Sequence, residues 1–461
     1  MIRKLRRIAL ALGVALLAGC AMGPDYERPE VPVPAGYDEP TVPGESFANL
    51  DWWNLFDDPL LLELIETALL NNQEMAIAAA RIEEARAALG LVRADQYPNV
   101  DGVAQGQRGN IVPGVGVPGS INEQWVLAGQ VNWEIDLWGK LRLQKEAARA
   151  AFMQSREFRK AVQTAIVAEV ASTYYNMLLV NSQIAVAERN LELGRNTLKI
   201  VRLQFDADET TSLAIRQTES QTLRAESLIP QLERSYTLLE NRLNQLLGRY
   251  PQPIAIEQNL EDAVFDERFV AGVPLELINN RPDIAAAEYA LIASNAQAGV
   301  AQAMRYPAIT LRAGLGLNTM DKNSFFDPIS SGFALLNGAV FQPIFQNRKL
   351  KTNFRIAESE RELAELNFKD HVIVAVREVS DALVTIEKLR EEYGIAVRRI
   401  TVTTQGVQDA SLLFQSGFAN YLEVINAQED ALRNELELAD LKRQIILANI
   451  ELYRSLGGGW K

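Results

Sequence analysis

Apolar positions recur along this chain with two different periods. From Lys140 to Leu193, 54 residues pass without Gly or Pro, and from Ile344 to Tyr393 another 50. Val162, Ile166, Val170, Tyr174 and Met177 are spaced 4, 4, 4, 3, while Leu438, Leu441, Ile445, Ala448 and Leu452 follow the 3, 4, 3, 4 seam of a coiled coil. At 1.5 Å per residue the two uninterrupted runs make rods of roughly 75–80 Å, too long for a globular core. The second period is 2. Trp125, Leu127, Gly129, Val131, Trp133, Ile135 and Leu137 alternate with Val126, Ala128, Gln130, Asn132, Glu134 and Asp136, and Ile309, Leu311, Ala313, Leu315 and Leu317 alternate with Thr310, Arg312, Gly314, Gly316 and Asn318. Each set predicts a strand with one apolar face and one mostly polar face.

Sliding the chain on itself by 209 residues aligns Tyr97-Pro98 with Tyr306-Pro307, Asn71 with Asn280, Phe205 with Phe414, Leu213 with Leu422 and Leu247-Gly248 with Leu456-Gly457. One offset held over nearly 190 residues predicts a duplication. In the hairpin region the best match slips to 207, pairing Leu137-Trp138 with Ile344-Phe345. The first repeat, 57–250, reads as a helix from Leu61 to Gln96, strands at about 99–108 and 124–137, and long helices 140–205 and 212–248. After a linker at 251–269, the second repeat, 270–461, has helices within 274–305, strands at about 308–318 and 333–343, and long helices 347–404 and 420–456. Helix breaks are expected near Gly194, Asp206–Thr211, Gly406 and Gly417. Pro230, inside the helix 212–248, predicts a kink, because it removes one helical hydrogen bond.

Strands with an apolar and a polar face suit the wall of a membrane β-barrel, which must close because lipid satisfies no open edge. One chain offers four strands, below the smallest barrel of about eight. Closure therefore requires several copies: two would give a filled eight-strand barrel and three a 12-strand barrel with a lumen. The expected class is mainly α with a small membrane β-part. A soluble β-layer packed on helices is the alternative that the strands alone leave open.

The N-terminus changes the picture of where this happens. Arg3, Lys4, Arg6 and Arg7 precede a short apolar run, Ile8 to Leu16, and then Leu17-Ala18-Gly19-Cys20. This is the layout of a signal peptide, residues 1–19, ending in a lipobox that resembles the site where a bacterial signal peptidase cuts before a diacylated cysteine. Cys20 is the chain's single cysteine and the predicted lipid anchor. Ala21 follows it, where inner-membrane retention usually needs Asp, so the resemblance implies delivery to the outer membrane. Residues 20–56 form a Pro-rich extended strap, with six of the 18 prolines between Ala21 and Asn49.

Composition then removes chemistry. One Cys and one His, His371, exclude a disulfide framework, thiolate metal clusters and most zinc or Ser-His-Asp sites. The net charge is −13, and loss of the four basic residues of the signal peptide takes it to −17. Such acidity disfavours a nucleic-acid partner. No enzyme activity is expected.

Over essentially its whole length the chain resembles the TolC-like outer membrane efflux proteins, in the lipidated branch that works with resistance-nodulation-division (RND) pumps. Gly23-Pro24-Asp25-Tyr26-Glu27-Arg28-Pro29 after Cys20, Arg281-Pro282-Asp283-Ile284, Tyr421-Leu422 through Asn426-Ala427-Gln428, and Leu456-Gly457-Gly458-Gly459-Trp460 carry the likeness. The resemblance implies a homotrimer with a long α-helical tunnel (an α-barrel) through the periplasm and a 12-strand β-barrel in the outer membrane. It implies an exit duct for small molecules, joined by a periplasmic adaptor to an inner-membrane RND transporter. It requires no cofactor and no metal, only the covalent diacylglycerol and N-acyl lipid on Cys20. It places the periplasmic entrance constriction at Leu422, Glu423 and Asn426, where the family often has a carboxylate in place of Asn426. Ducts for type I protein secretion share the fold, and a tethering coiled-coil lipoprotein would share the lipobox and heptads but has no use for the strands.

Overall fold

The computed structural model describes residues 23–34, 36, 51–110, 121–263 and 279–460; the signal peptide and Cys20 lie outside them. In order come α1 (Pro59–Asn71), α2 (Gln73–Ala94), β1 (Asn99–Asn110), β2 (Ile121–Ile135), α3 (Lys140–Asp206), α4 (Ser212–Leu246), α5 (Pro282–Ala303), β3 (Ala308–Thr319), β4 (Gly332–Phe341), α6 (Lys349–Gln415) and α7 (Tyr421–Ser455). Helices α3 and α6 are 67 residues each, and α4 and α7 are 35 each. Each pair starts and ends 209 positions apart, as do α2 and α5. Among the described residues no helix is long and apolar enough to cross a membrane.

The expected single helix from Leu61 to Gln96 is two. Asn72 adopts an extended backbone, its N–H still donating to the Ala68 carbonyl at 2.8 Å, while its Oδ1 accepts from Glu74 N at 2.7 Å. The Asn72 side chain thus ends one helix and caps the next, an alternative that asparagine offers the backbone. Its Nδ2 also donates to the Leu246 carbonyl at 2.8 Å, closing the C-terminus of α4. Arg281 holds the matching place in the second repeat. Its Nη1 donates to the Ser455 carbonyl, 209 positions after Leu246, at 2.9 Å.

Helices α3 and α6 run unbroken through Gly194 and Gly406, where breaks were expected, and α6 continues to Gln415 instead of ending at 404. A lone interior glycine costs only about 1 kcal/mol, which packing absorbs. A Cβ at Gly194 would make an ordinary van der Waals contact with Thr222, at 3.4 Å. The helices end at the other two expected breaks, closed by the left-handed residues Asp208 (φ 60°) and Gly417 (φ 76°). Helix α4 continues through Pro230.

The four strands form one antiparallel sheet in the order β1-β2-β3-β4. Asn99 pairs with Asn132, and Ala308 with Phe341, so both hairpins share one register at an offset of 209. Gly139 (φ 76°) and Arg348 (φ 65°) turn the chain at matched positions just before α3 and α6. The expected slip to 207 is therefore absent: the match of Leu137-Trp138 with Ile344-Phe345 reflected shared apolar character, and the backbone equivalents of Ile344 and Phe345 are Ile135 and Asp136. Strand β2 ends at Ile135 instead of 137 because Asp136 caps α3, its carboxylate accepting from Leu141 N at 3.0 Å and Arg142 N at 2.8 Å. Strand β4 ends at Phe341, just before Pro343, which has no N–H to offer a ladder. Across β2 and β3, Leu127 faces Leu317, Trp133 faces Leu311 and Ile135 faces Ile309, forming the apolar face. Within one chain β1 and β4 each keep one unpaired edge.

The described residues divide into two compact units. One comprises the described residues of Met1–Glu30, Arg81–Arg156 and Ala286–Lys369, and the other those of Val31–Ala80, Glu157–Ala285 and Asp370–Lys461. In the first, the start of the strap lies on α5. Asn295 Nδ2 donates to the Pro24 carbonyl at 2.9 Å, the Tyr26 hydroxyl donates to Glu288 at 3.0 Å, and Arg28 pairs with the same carboxylate through Nε at 2.7 Å. Gly23 and Gly299 meet backbone to backbone, and a Cβ on Gly23 would lie 3.1 Å from Gly299 Cα. In the second, Ile166, Val170, Tyr174 and Met177 of α3 and Leu441, Ile446, Ala448 and Leu452 of α7 are buried.

Candidate functional site

Leu422, Glu423 and Asn426 stand at the start of α7, the returning helix of the second repeat. Helix α6 stops just before it in a Schellman turn: Phe418 N donates to the Leu413 carbonyl at 2.8 Å and Gly417 N to the Phe414 carbonyl at 3.1 Å. Helix α7 then begins on a reciprocal cap. Asn420 Oδ1 accepts from Leu422 N at 2.9 Å and from Glu423 N at 3.3 Å, while the Glu423 carboxylate accepts from Asn420 N at 3.5 Å. The expected carboxylate is thereby tied to its own helix start, where the helix dipole also favours it.

Burial separates two faces of this first stretch of α7. Val424, Ile425 and Gln428 are buried, whereas Leu422, Glu423 and Asn426 are exposed. The three predicted residues thus share one open side of the helix, and Leu422, an apolar side chain, is 41% exposed there. The buried side is held by a cluster of Val201, Ala214, Phe414 and Val424, with Ile200, Ile215, Ala410, Ala419 and Tyr421 against it. This cluster joins the α3–α4 turn to the α6–α7 turn. Two polar links accompany it: the Tyr421 hydroxyl donates to Gln217 Oε1 on α4, and Gln428 Nε2 donates to Thr197 Oγ1 on α3 at 3.0 Å, both of these buried.

Sequence reasoning missed Tyr421 and Gln217 as partners. Tyr421 was visible as part of a shared motif, but its mate 209 positions earlier is Ser212, so the duplication gave no hint of a cross-helix bond. Cys20, the predicted lipid anchor, lies outside the described residues. Among the described residues no group of His, Cys, Asp and Glu is placed to hold a metal ion.

A family model described as "Outer membrane efflux protein" matches residues 64–249 and 273–458, two stretches whose starts and ends are each 209 apart. The chain belongs to the outer membrane efflux protein family. Among its relatives, the cation efflux system protein CusC of Escherichia coli (strain K12) is 29% identical over 448 residues, spanning 96% of this chain and 97% of that protein. The probable outer membrane lipoprotein SilC of Salmonella typhimurium is 28% identical, with 99% of each chain covered. The fold matches crystal structures of CusC at a TM-score of 0.85, covering 95% of this chain and 100% of that one at 29% identity. It also matches the MtrE outer membrane channel of Neisseria gonorrhoeae in its open state at 0.86, covering 96% and 99% at 26% identity. As an outer membrane efflux protein, the chain serves as an exit duct in the outer membrane. The four-stranded sheet and the long paired helices are this family's architecture.

Proposed function

We propose that three copies of this chain form one continuous duct, each contributing four strands to a 12-strand barrel in the outer membrane and its long helices to a tunnel in the periplasm. The observation that carries this is the sheet itself. Strands β1 and β4 each leave a full edge of backbone N–H and C=O groups unpaired in one chain, and lipid offers them no partner. Three copies join six edges into three seams and leave none. Two copies would close too, but eight strands enclose only enough space for side chains.

In this reading the duct does no chemistry. Cys20 carries the diacylglycerol and N-acyl lipid that hold the strap at the membrane. A periplasmic adaptor joins the duct to an inner-membrane RND transporter, which supplies the work for small-molecule export. The entrance lies at the α7 start, where the open side carrying Leu422, Glu423 and Asn426 is repeated three times about the axis. Three Glu423 carboxylates at one radius attract cations and repel anions, as charged rings do in other pores. With an amide at 426 the ring carries three carboxylates instead of six, so divalent cations block it weakly. The test is single-channel conductance in planar bilayers, together with antibiotic uptake by cells, for the double variant Leu422→Ala/Glu423→Ala. A loosened entrance raises both several-fold; wild-type values for both would remove these residues from the constriction.

A further inference from the structure

We propose that the foot of the sheet in the second repeat is a docking surface for anionic phospholipid headgroups of the membrane leaflet that faces the periplasm. This rests on the lipid-anchored duct proposed above and adds to it the residues that set its depth in the membrane.

Charge at this level differs between the repeats. Residues 296–308 and 341–357 carry the chain from α5 into β3 and from β4 into α6; they contain Arg305, Arg348, Lys349, Lys351 and Arg355 and no acid. The matching stretches of the first repeat, 87–99 and 132–148, contain Arg93, Lys140, Arg142 and Lys145 against Asp95, Glu134, Asp136 and Glu146. The mates of those four acids are Met304, Pro343, Phe345 and Arg355, so each carboxylate gives way to an apolar group or a cation. In the first repeat Glu134 pairs with Lys140 at 2.5 Å. In the second all five cations are exposed, and among the described residues none meets a carboxylate. Unpaired like charges repel, and Arg348, Lys349 and Lys351 stand where the helix dipole favours anions, so they do not serve the fold of a single copy.

Contacts fix where these cations stand. The Trp133 indole, on the apolar face of β2, donates to the Gln96 carbonyl at 3.2 Å, and 209 positions on the Gln342 amide donates to the Arg305 carbonyl at 3.3 Å. Arg305 thus sits at the rim of the apolar face, where strands give way to helices. Its guanidinium lies over the Phe354 ring at 5.4 Å, and Phe354 lines a cavity with Gly23 and Pro24. Cys20 is three residues before Gly23, and three residues span at most about 10 Å, so a lipid on Cys20 enters the membrane close to this same level. Beside the cations Ile344 and Phe345 are 95% and 81% exposed. Cations next to open apolar side chains match a membrane surface, whose anionic headgroups draw juxtamembrane Lys and Arg and whose interface accepts aromatic rings.

The experiment is native mass spectrometry of the full-length lipidated protein after exchange into mixed micelles of phosphatidylcholine and phosphatidylglycerol in equal amounts. The wild type retains phosphatidylglycerol several-fold over phosphatidylcholine, and the preference falls as salt rises in the exchange buffer. The variant Arg305→Gln/Lys351→Gln/Arg355→Gln loses that preference, while Arg142→Gln, at the matching place of the first repeat, keeps it. If the triple variant fails to fold, the salt series on the wild type decides, and a preference indifferent to salt overturns the proposal. Equal retention of the two lipids by a wild-type species of three chains, or a triple variant as selective as the wild type, overturns the docking surface and leaves the duct standing. So does an altered ion selectivity of the triple variant in planar bilayers of phosphatidylcholine alone, which would put these cations in the lumen. A native mass of one chain overturns the duct on which the proposal rests.

Discussion

The two turns at which the long helices reverse have one backbone and two chemistries. After α3, Glu209 N donates to the Gln204 carbonyl at 2.8 Å and Asp208 N to the Phe205 carbonyl at 3.0 Å, the same Schellman pattern that closes α6. In the first turn the left-handed residue is Asp208, the cap is Thr211 with a long 3.4 Å bond to Ala214 N, and the third helical residue is Ala214, fully buried. The second turn has Gly417, Asn420 in a reciprocal cap, and an exposed Glu423. Phe205 is 40% exposed, and its mate Phe414 is 6% exposed in the shared apolar cluster. Duplication preserved the geometry that turns the chain, while the side chains on it diverged: Glu423 stands exposed on the second turn where the first has the buried Ala214.

The opposite ends of the returning helices diverge in the same way. Asn72 closes α4 with one hydrogen bond, and Glu169 pairs with Arg242 through Nε at 3.0 Å. In the second repeat Arg281, 5% exposed, bonds the Ser455 carbonyl, both oxygens of Asp283 and Glu378, and Glu378 also receives Arg454 at 3.2 Å. Glu169 and Glu378 are mates, so a carboxylate common to both repeats recruits one arginine in the first and two in the second.

The largest effect that sharpens this contrast comes from Arg281→Ala. It takes the only arginine from Asp283 and the donor from a buried carbonyl, while Glu378 keeps Arg454, at a cost of about 3 kcal/mol or more, whereas Asn72→Ala leaves one buried carbonyl and uncaps α2 at about 1–3 kcal/mol. Denaturant unfolding of the detergent-solubilised protein ranks them, and equal losses would erase the distinction. Acid separates the repeats next. Burial pushes the Asp283 carboxyl up, but the Arg281 guanidinium overcomes this and holds it below its ordinary 3.8. The pair therefore stabilises the fold fully above about pH 4 and less as pH falls through the lowered value. Asp283→Asn is expected to flatten that part of the stability profile, and an unchanged acid limb would contradict it. At the turns, Gly417→Ala forces a side chain into φ 76° and costs about 1–2 kcal/mol, while Asp208→Gly relieves φ 60° and raises the thermal midpoint slightly. The smallest contrast is in the caps: Asn420→Ala costs about 1 kcal/mol and Thr211→Ala a few tenths, read from the same unfolding curves.

Much of this architecture is readable from the amino-acid sequence because long periodic runs and an offset of 209 are signals no single substitution erases. Strand alternation in β2 and β3 marked the apolar face correctly, and the matched turns around 206–211 and 416–420 followed from their breakers. What failed was local. Glycine was overvalued at Gly194 and Gly406, where packing along a long helix outweighs its flexibility, and Asn72 was undervalued, since its amide caps α2 through Glu74 N and also bonds a carbonyl 174 positions away. The apparent slip to 207 came from reading apolar identity where the backbone register decides. At the start of α7, the three residues named from sequence share one open side, but the Tyr421–Gln217 bond that ties this turn to its neighbour was not legible, because that contact crosses between repeats.

The central claim is that three copies complete what one chain leaves open, and the native mass of the mature protein in mild detergent tests it most directly. The account predicts a stable species at three times the chain mass, with four strands from each copy in one closed barrel. A stable single chain would leave β1 and β4 as open edges in lipid and would contradict the duct at its foundation.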